Sequence, residues 1–338
     1  MKVVTHQKRL SDGRIRCDTC AHHCLIDEGE VGQCGVRENR EGMLVSLVYG
    51  RVAASHVDPV EKKPFFHFMP GARAFSLATV GCNFRCRHCQ NASISQMPVD
   101  QGRLAGQYLA PEAAVQAAVA QHCRIIAYTY TEPAVYWDYA RDIAKVAQDA
   151  GLANLFVTNG FWSSQGLKGM LPLMDGANVD LKAFSDETYR NYFGARLKPV
   201  LETITAMRAA GVWVEVTTLV IPGLNDSDEE LQAIAQFLVS VDCEMPWHVS
   251  RFYPAYRLMD REATSTERLH RARQIGLAAG LKYVYVGNLD DENGLSTFCA
   301  ECGQPVITRL GFQVKESRLV DSTCPNCHCD IPGVWASR

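Results

Sequence analysis

No stretch of this 338-residue chain approaches the ~18 to 20 consecutive apolar residues that span a bilayer. Its start, MKVVTHQKRLSDG, lacks the apolar segment of a secretion signal. Both absences predict a cytoplasmic protein with no membrane contact, in a compartment where disulfides are rare. The chain has no excess of positive charge either. Lys+Arg 34 against Asp+Glu 37 leaves a net charge of −3, which argues against a dedicated nucleic-acid binder. Internal repeats and low-complexity tracts are also missing. Core material is not scarce: 47% of residues are apolar and 21% charged, in a length near that of two average domains.

Cysteine, by contrast, is abundant, with 14 in the chain. Cys17, Cys20, Cys24 and Cys34 lie near the start, and Cys82, Cys86 and Cys89 follow. Cys299, Cys302, Cys324, Cys327 and Cys329 come last, while Cys123 and Cys243 stand alone and read as small packed hydrophobes. In a reducing compartment such groups read as metal or iron–sulfur ligands rather than staples. Only the middle group has three members. A three-thiolate site leaves a coordination position open, and an open position points to chemistry rather than architecture.

Three stretches differ in texture. Residues 1–70 hold the first cysteines, a strand-like Met43–Tyr49 and the segment VDPVEKKPFFHFMPG, whose prolines predict an ordered but irregular connector. Residues 71–290 alternate apolar runs with amphipathic helices. Strands are expected at Ala74–Val80, Arg124–Tyr130, Ala153–Thr158, Ala177–Lys182, Val212–Ile221, Trp247–Phe252 and Tyr283–Val286. Helices are expected at Pro111–His122, Ala134–Ala150, Gln165–Met174, Asp186–Phe193, Pro199–Ala210, Asp226–Ser240 and Ser265–Ala279. This pattern predicts an α/β fold with parallel strands and outer helices, either doubly wound or a partial barrel, and ligands at the strand C-termini. Residues 291–338 switch to cysteines and turns, as in a small metal-stapled module.

Directly after the first predicted core strand, GCNFRCRHCQN carries the spacing C-x3-C-x2-C. Three thiolates on one short loop can hold three corners of a [4Fe-4S] cluster, and no fourth cysteine lies in the next thirty residues. A zinc site borrowing a distant ligand, or buried free thiols, are the plainer alternatives. The loop resembles that of the radical S-adenosylmethionine (SAM) enzymes, with His88 at the usually aromatic position beside the SAM adenine. The resemblance implies a partial (β/α)6 TIM-type barrel over about residues 71–290. It implies that S-adenosyl-L-methionine chelates the open iron and is cleaved reductively to a 5′-deoxyadenosyl radical that abstracts hydrogen. A low-potential electron donor of the flavodoxin or ferredoxin type is the implied partner.

Further strings are similar to the branch that includes pyruvate formate-lyase activase. Thr131 and Glu132, with Pro133, stand where that branch has a motif binding the SAM amino group. They also read as a helix start with Thr131 as N-cap and Pro133 in the first turn. Asp180 and Lys182 in VDLK point to one face of a strand, and the matching residues of the activases contact SAM; a rim salt bridge is the plainer reading. His248 has a SAM-contacting counterpart as well, although a lone histidine is more often a satisfied core residue. Thr158-Asn159-Gly160 matches a family turn, but Val157 replaces the aspartate of a monovalent-cation site.

The end groups read as metal modules. Cys17-x2-Cys20-x3-Cys24-x9-Cys34 can close around zinc or a second iron–sulfur cluster, with His22 or His23 as possible substitutes. Cys299-x2-Cys302 and Cys324-x2-Cys327, 21 residues apart, form a zinc-ribbon or rubredoxin-like pattern, with Cys329 spare. Across almost the whole chain, CGVR, DPVEKKPFFHFMPG, YTYTEP, WHVSRFYP, YVYVGN and IPGVW resemble the radical SAM component of the AmmeMemoRadiSam system. Three functions follow for testing. The first is a radical SAM enzyme acting on an unidentified substrate or partner protein. The second is a glycyl-radical enzyme activase. The third is a non-catalytic, metal-stapled interaction or redox-sensing protein.

Overall fold

A computed structural model describes residues 2–335. Its centre is one sheet of eight strands: β1 (Ala54–Pro59), β2 (Arg73–Ala78), β3 (Ile125–Tyr128), β4 (Ala153–Thr158), β5 (Gly176–Asp180), β6 (Trp213–Val220), β7 (Trp247–Arg251) and β8 (Val284–Gly287). Strands β2 to β8 are all parallel, and β1 pairs antiparallel with β2. The spatial order follows the chain order without reversal. A doubly wound sheet reverses its order at a switch point, so that alternative falls. An unreversed series with right-handed crossovers curls into a barrel. Backbone pairing ends at β1 and at β8, so the barrel is partial.

Among the described residues, six helices of seven residues or more link the parallel strands: α1 (Pro111–Ala120), α2 (Trp137–Asp149), α3 (Ser164–Met170), α4 (Leu197–Ala209), α5 (Asp228–Val241) and α6 (Thr266–Ala278). Their starts are written locally. Ser163, Ser227 and Ser265 each accept a hydrogen bond from the backbone N–H of the helix's third residue, and α5 opens on three acidic residues. Helix α2 buries Trp137, Ala140, Ile143, Ala144 and Ala147, a stripe at helical spacing. Helix α6 lies so close to β7 that a Cβ on Gly276 would stand 2.8 Å from the Trp247 ring. Among the described residues no helix is long and apolar enough to cross a membrane.

The two faces of the sheet differ. Phe75, Leu77, Ile126, Tyr128, Phe156, Val179, Val216 and Val249 pack outward under the helices. Ala74, Ile125, Ala127, Leu155 and Trp213 face inward and, with Phe65 and Phe68, close the N-terminal end of the barrel. The segment expected to be an irregular connector is partly regular. Val57–Pro59 belongs to the edge strand β1, where a proline at the strand end removes no needed ladder bond. A short 3-10 turn, Val60–Lys62, then leads Phe65 and Phe68 into the barrel base.

Smaller sheets flank the barrel. Two three-stranded sheets lie within residues 2–46, and one lies in Thr297–Ser317. The C-terminal segment returns to the barrel base, where Val334 exchanges backbone bonds with Met69 and His67. Arg309 anchors it: the fully buried guanidinium donates to the Phe66 carbonyl at 2.7 Å and to Thr297 Oγ1 at 2.9 Å, and lies 4.4 Å from the Phe66 ring centre. Removing it takes the side-chain donor from the Phe66 carbonyl and the one ion-pair partner from the buried Glu61 carboxylate. Arg309→Met is therefore expected to lower stability by about 3 kcal/mol. Chemical denaturation checks this, and an unchanged unfolding midpoint would show that the C-terminal sheet is held by other contacts.

Candidate active site

The chain leaves β2 through Gly81, which takes φ +101°. A Cβ there would stand 2.6 Å from Val36 Cγ1 and 3.1 Å from the Cys34 carbonyl oxygen. Only glycine allows both the left-handed turn and this approach. The cysteine loop that follows has almost no regular structure of its own and is pinned by its neighbours. Phe84 is buried edge-on against Phe161 and Tyr189, with ring centres 5.4 and 6.2 Å away. Arg85 N donates to the Phe193 carbonyl at 2.8 Å and Gln96 Nε2 to the Phe84 carbonyl at 3.1 Å.

Cys82, Cys86 and Cys89 line one cavity of about 340 Å³ at the C-terminal ends of the strands, and they are the only cysteines among the described residues that do so. Burial pushes the Cys86 thiol up to about 12, with Lys182 opposing, and raises Cys82 well above its ordinary range. A metal entering here must displace those protons.

Thr131, Glu132, Asp180, Lys182 and His88 line the same cavity. The expected Thr131 cap is not made. Thr131 Oγ1 donates to the Thr79 carbonyl at 2.9 Å, and the N-cap of the 3-10 turn Pro133–Tyr136 is Glu132, which accepts from Ala134 N at 3.1 Å. The reason is Tyr130, whose left-handed φ of +61° swings the next residue back toward β2. Glu132 also accepts from Thr158 Oγ1 at 2.7 Å and Asn159 N at 2.8 Å. Burial raises its pKa to about 7, against the pull of these donors.

Lys182 Nζ donates to Asp180 Oδ2 at 2.9 Å. Burial alone would lower the lysine pKa, but the Asp180 carboxylate and the Cys86 sulfur outweigh it and raise the pKa. His88 stands edge-on to Phe193, 5.7 Å between centres, with Nδ1 buried and unpartnered. Burial, and then the Lys182 charge, lowers its pKa to about 3, so the ring is neutral.

His248 is not among the residues lining the cysteine cavity. It shares a register row with Thr217, yet its Nε2 lies 2.6 Å from Glu215 Oε2 and it faces an adjoining cavity of about 590 Å³. The two cavities share Lys62, Pro64, Gln90, Ser250 and Asn288.

Two contacts at the cavity escaped sequence reasoning. Asn159 Nδ2 donates to Asn83 Oδ1 at 2.7 Å and so ties the family-type turn to the cysteine loop. Lys63 lies 2.7 Å from Asp58 Oδ2 and 3.3 Å from Tyr130 OH at the cavity wall. The paired lysines and the tyrosine before Thr131 were visible in the sequence, but nothing in it shows that they meet.

The terminal cysteines fall into two geometries. Among the described residues, Cys299, Cys302, Cys324 and Cys327 are the one group of three or more such ligands with atoms all within 4.8 Å of one another. Cys329 joins them, with Sγ 3.2 Å from Cys299 and 3.4 Å from Cys327. Cys17, Cys20, Cys24 and Cys34 instead surround a hollow that also touches Asn83. Cys123 is buried in the core, and Cys243 is half-buried.

Comparison with known proteins agrees with this architecture. Residues 76–238 match the Radical SAM superfamily. An uncharacterized protein of Methanocaldococcus jannaschii is 42% identical over 334 residues, covering 98% of each chain. The benzylsuccinate synthase activating enzyme of Thauera aromatica is 30% identical over 109 residues, 32% of this chain and 33% of that one. A crystal structure of Streptococcus suis SuiB bound to S-adenosylmethionine shares the fold with a TM-score of 0.51 at 11% identity, over 68% of this chain and 53% of that one. A three-cysteine loop at the mouth of an unreversed parallel barrel, matched in sequence over residues 76–238, makes this chain an enzyme of the radical SAM superfamily, with a third of its length similar to the benzylsuccinate synthase activating enzyme.

Proposed function

We propose that the cavity binds a [4Fe-4S] cluster through Cys82, Cys86 and Cys89 and S-adenosyl-L-methionine beside it, and that it serves hydrogen abstraction from a substrate or partner protein. The observation that carries this reading is the convergence of three thiols, a buried glutamate and an Asp–Lys pair in one cavity. The donor set fits the groups. Three thiols supply three of four corners, and the unpartnered Nδ1 of His88 is a buried polar atom waiting for a partner. When bound, the cluster and SAM supply one electron and a carbon-centred radical capable of taking a hydrogen atom.

The chain's own residues hold and orient. Glu132, once ionised, receives the amino group of the methionine moiety. Lys182 receives its carboxylate, with Asp180 holding the lysine in place. The neutral ring of His88 gives the adenine a flat neighbour without a repelling charge, with Nδ1 free to hydrogen-bond. Thr131, anchored on Thr79, fixes the approach of Glu132. The adjoining cavity, with His248, Arg251 and Tyr253 on its walls, is the place for the hydrogen donor. A flavodoxin or ferredoxin class protein is the electron source.

A glycyl-radical partner is the narrower reading, supported by the Thauera activating enzyme over a third of the chain. It predicts a backbone radical, detected by electron paramagnetic resonance, when a glycyl-radical enzyme is mixed with this protein, reductant and SAM.

Anaerobic reconstitution followed by SAM and dithionite is expected to yield 5′-deoxyadenosine and methionine, and Cys86→Ala is expected to abolish both. Product formed by that variant at the wild-type rate would refute the three-cysteine assignment. Because burial lifts Glu132 to about 7, its carboxylate is neutral below that pH and ionised above it. SAM affinity should therefore rise about tenfold from about pH 6 to about pH 8. Glu132→Gln should flatten the profile and weaken binding about tenfold or more at the upper pH. Equilibrium binding measures both, and a pH-independent wild-type affinity would remove Glu132 from the proposed role.

A further inference from the structure

We infer that Cys17, Cys20, Cys24 and Cys34 hold a second iron–sulfur cube, capped by protein at all four corners, rather than a single metal ion. The sequence spacing left that choice open. Sulfur spread decides it. A tetrahedral zinc ion with bonds of about 2.3 Å draws four sulfurs to about 3.8 Å from one another. The C-terminal group has that form, with Sγ pairs at 3.2 to 3.6 Å. No three of the N-terminal sulfurs gather within 4.8 Å. They share this wider spread with Cys82, Cys86 and Cys89, the loop that the family match links to a cube.

The surroundings fit the same assignment. The four cysteines line one hollow whose wall is otherwise largely apolar, closed by Ile26, Gly32 and Val135. Arg37 reaches into it. The guanidinium is buried, Nη1 lies 3.2 Å from Cys17 Sγ, and Nε has no hydrogen-bond partner. Nη2 donates to the Ala134 carbonyl at 2.9 Å and the Asp138 carboxylate acts on it from beyond ion-pair reach, so a thiolate-bound cube beside Cys17 would supply the nearest anionic charge to this buried cation. A shell of this kind, apolar with one donor to sulfur, is what sets a cluster's potential.

Position gives the cube a task. His22 Nε2 lies 2.8 Å from the Asn83 carbonyl oxygen, Asn83 lines the hollow, and Asn83 Oδ1 is 3.9 Å from Cys82 Sγ. The Cys34 carbonyl meets Gly81 from the same side. One residue thus separates the two cysteine sites. A closed cube has no open iron for a substrate, so its chemistry is outer-sphere: it takes one electron from a low-potential donor of the flavodoxin or ferredoxin class and passes that electron to the cluster at Cys82. No atom or proton moves in that step.

The test needs no turnover, so it stands apart from the function proposed above. The Cys82→Ala/Cys86→Ala/Cys89→Ala variant, reconstituted anaerobically with iron and sulfide, is expected to keep about four iron and four sulfide per chain and about one zinc. Adding Cys20→Ser and Cys34→Ser should take iron to background and leave zinc at about one, which reports an intact fold. Two zinc and no iron in the triple variant would overturn the inference. Should the triple variant not fold, the same analysis applies to the wild type and to Cys20→Ser/Cys34→Ser alone. About eight iron falling to about four supports the second cube, and equal iron contents refute it.

Discussion

A carboxylate sealed inside the barrel organises much of what surrounds it. Glu215 on β6 has no exposure, and burial alone would favour its neutral form. It is held in the charged form by His248 at 2.6 Å, by the backbone N–H groups of Phe66 and His67, and by Trp213 Nε1 at 3.0 Å. Leaving such a group unpaired costs about 3–5 kcal/mol, so the chain between β1 and β2 must cross the barrel where those donors are needed. That crossing brings Phe65 and Phe68 into the base as a plug. It also sets His67 between Tyr285 and the Pro332 carbonyl, which fastens the C-terminal segment. His248 is therefore best understood first as the partner of Glu215, with its contact to the adjoining cavity as a second role.

At the mouth, the balance is different. Glu132, His88, Cys82 and Cys86 are all driven toward their neutral forms by burial, and Lys182 is kept charged only by its neighbours. The fold gives Glu132 three donors and Lys182 one carboxylate, but leaves His88 Nδ1 without a partner. Such an arrangement costs stability and persists where a ligand supplies the missing partners. At the base Glu215 is bonded throughout by protein donors, while Glu61 Oε2 and Arg309 Nε are left without hydrogen bonds; at the mouth His88 Nδ1 is left in the same way.

Much of this was legible in the sequence because the signals are local. The apolar run Ala153–Thr158 and the β-branched run expected at Val212–Ile221, found as Trp213–Val220, follow from periodicity. The three-cysteine loop and the Asp180–Lys182 pair could also be read, because spacing alone puts their side chains together. What escaped depends on contacts distant in sequence. The left-handed Tyr130 moves the cap from Thr131 to Glu132, and the Asn83–Asn159 link joins residues 76 positions apart. The difference between a one-ion site and a cube cannot be read from C-x2-C-x3-C-x9-C, because that spacing fixes which thiols are neighbours and not how far apart they stand.

The unpaired edges of β1 and β8 give the barrel wall a different character along one line. There the wall is closed by side chains, chiefly Phe66 against His248 and Tyr285, with ring centres 4.8 and 4.7 Å away, and not by a hydrogen-bonded ladder. A ladder is held by bonds in series, whereas here edge-on rings meet on a loop whose backbone Glu215 and Arg309 fix at Phe66. The wall therefore has a seam beside the larger cavity, where packing of rings takes the place of strand pairing.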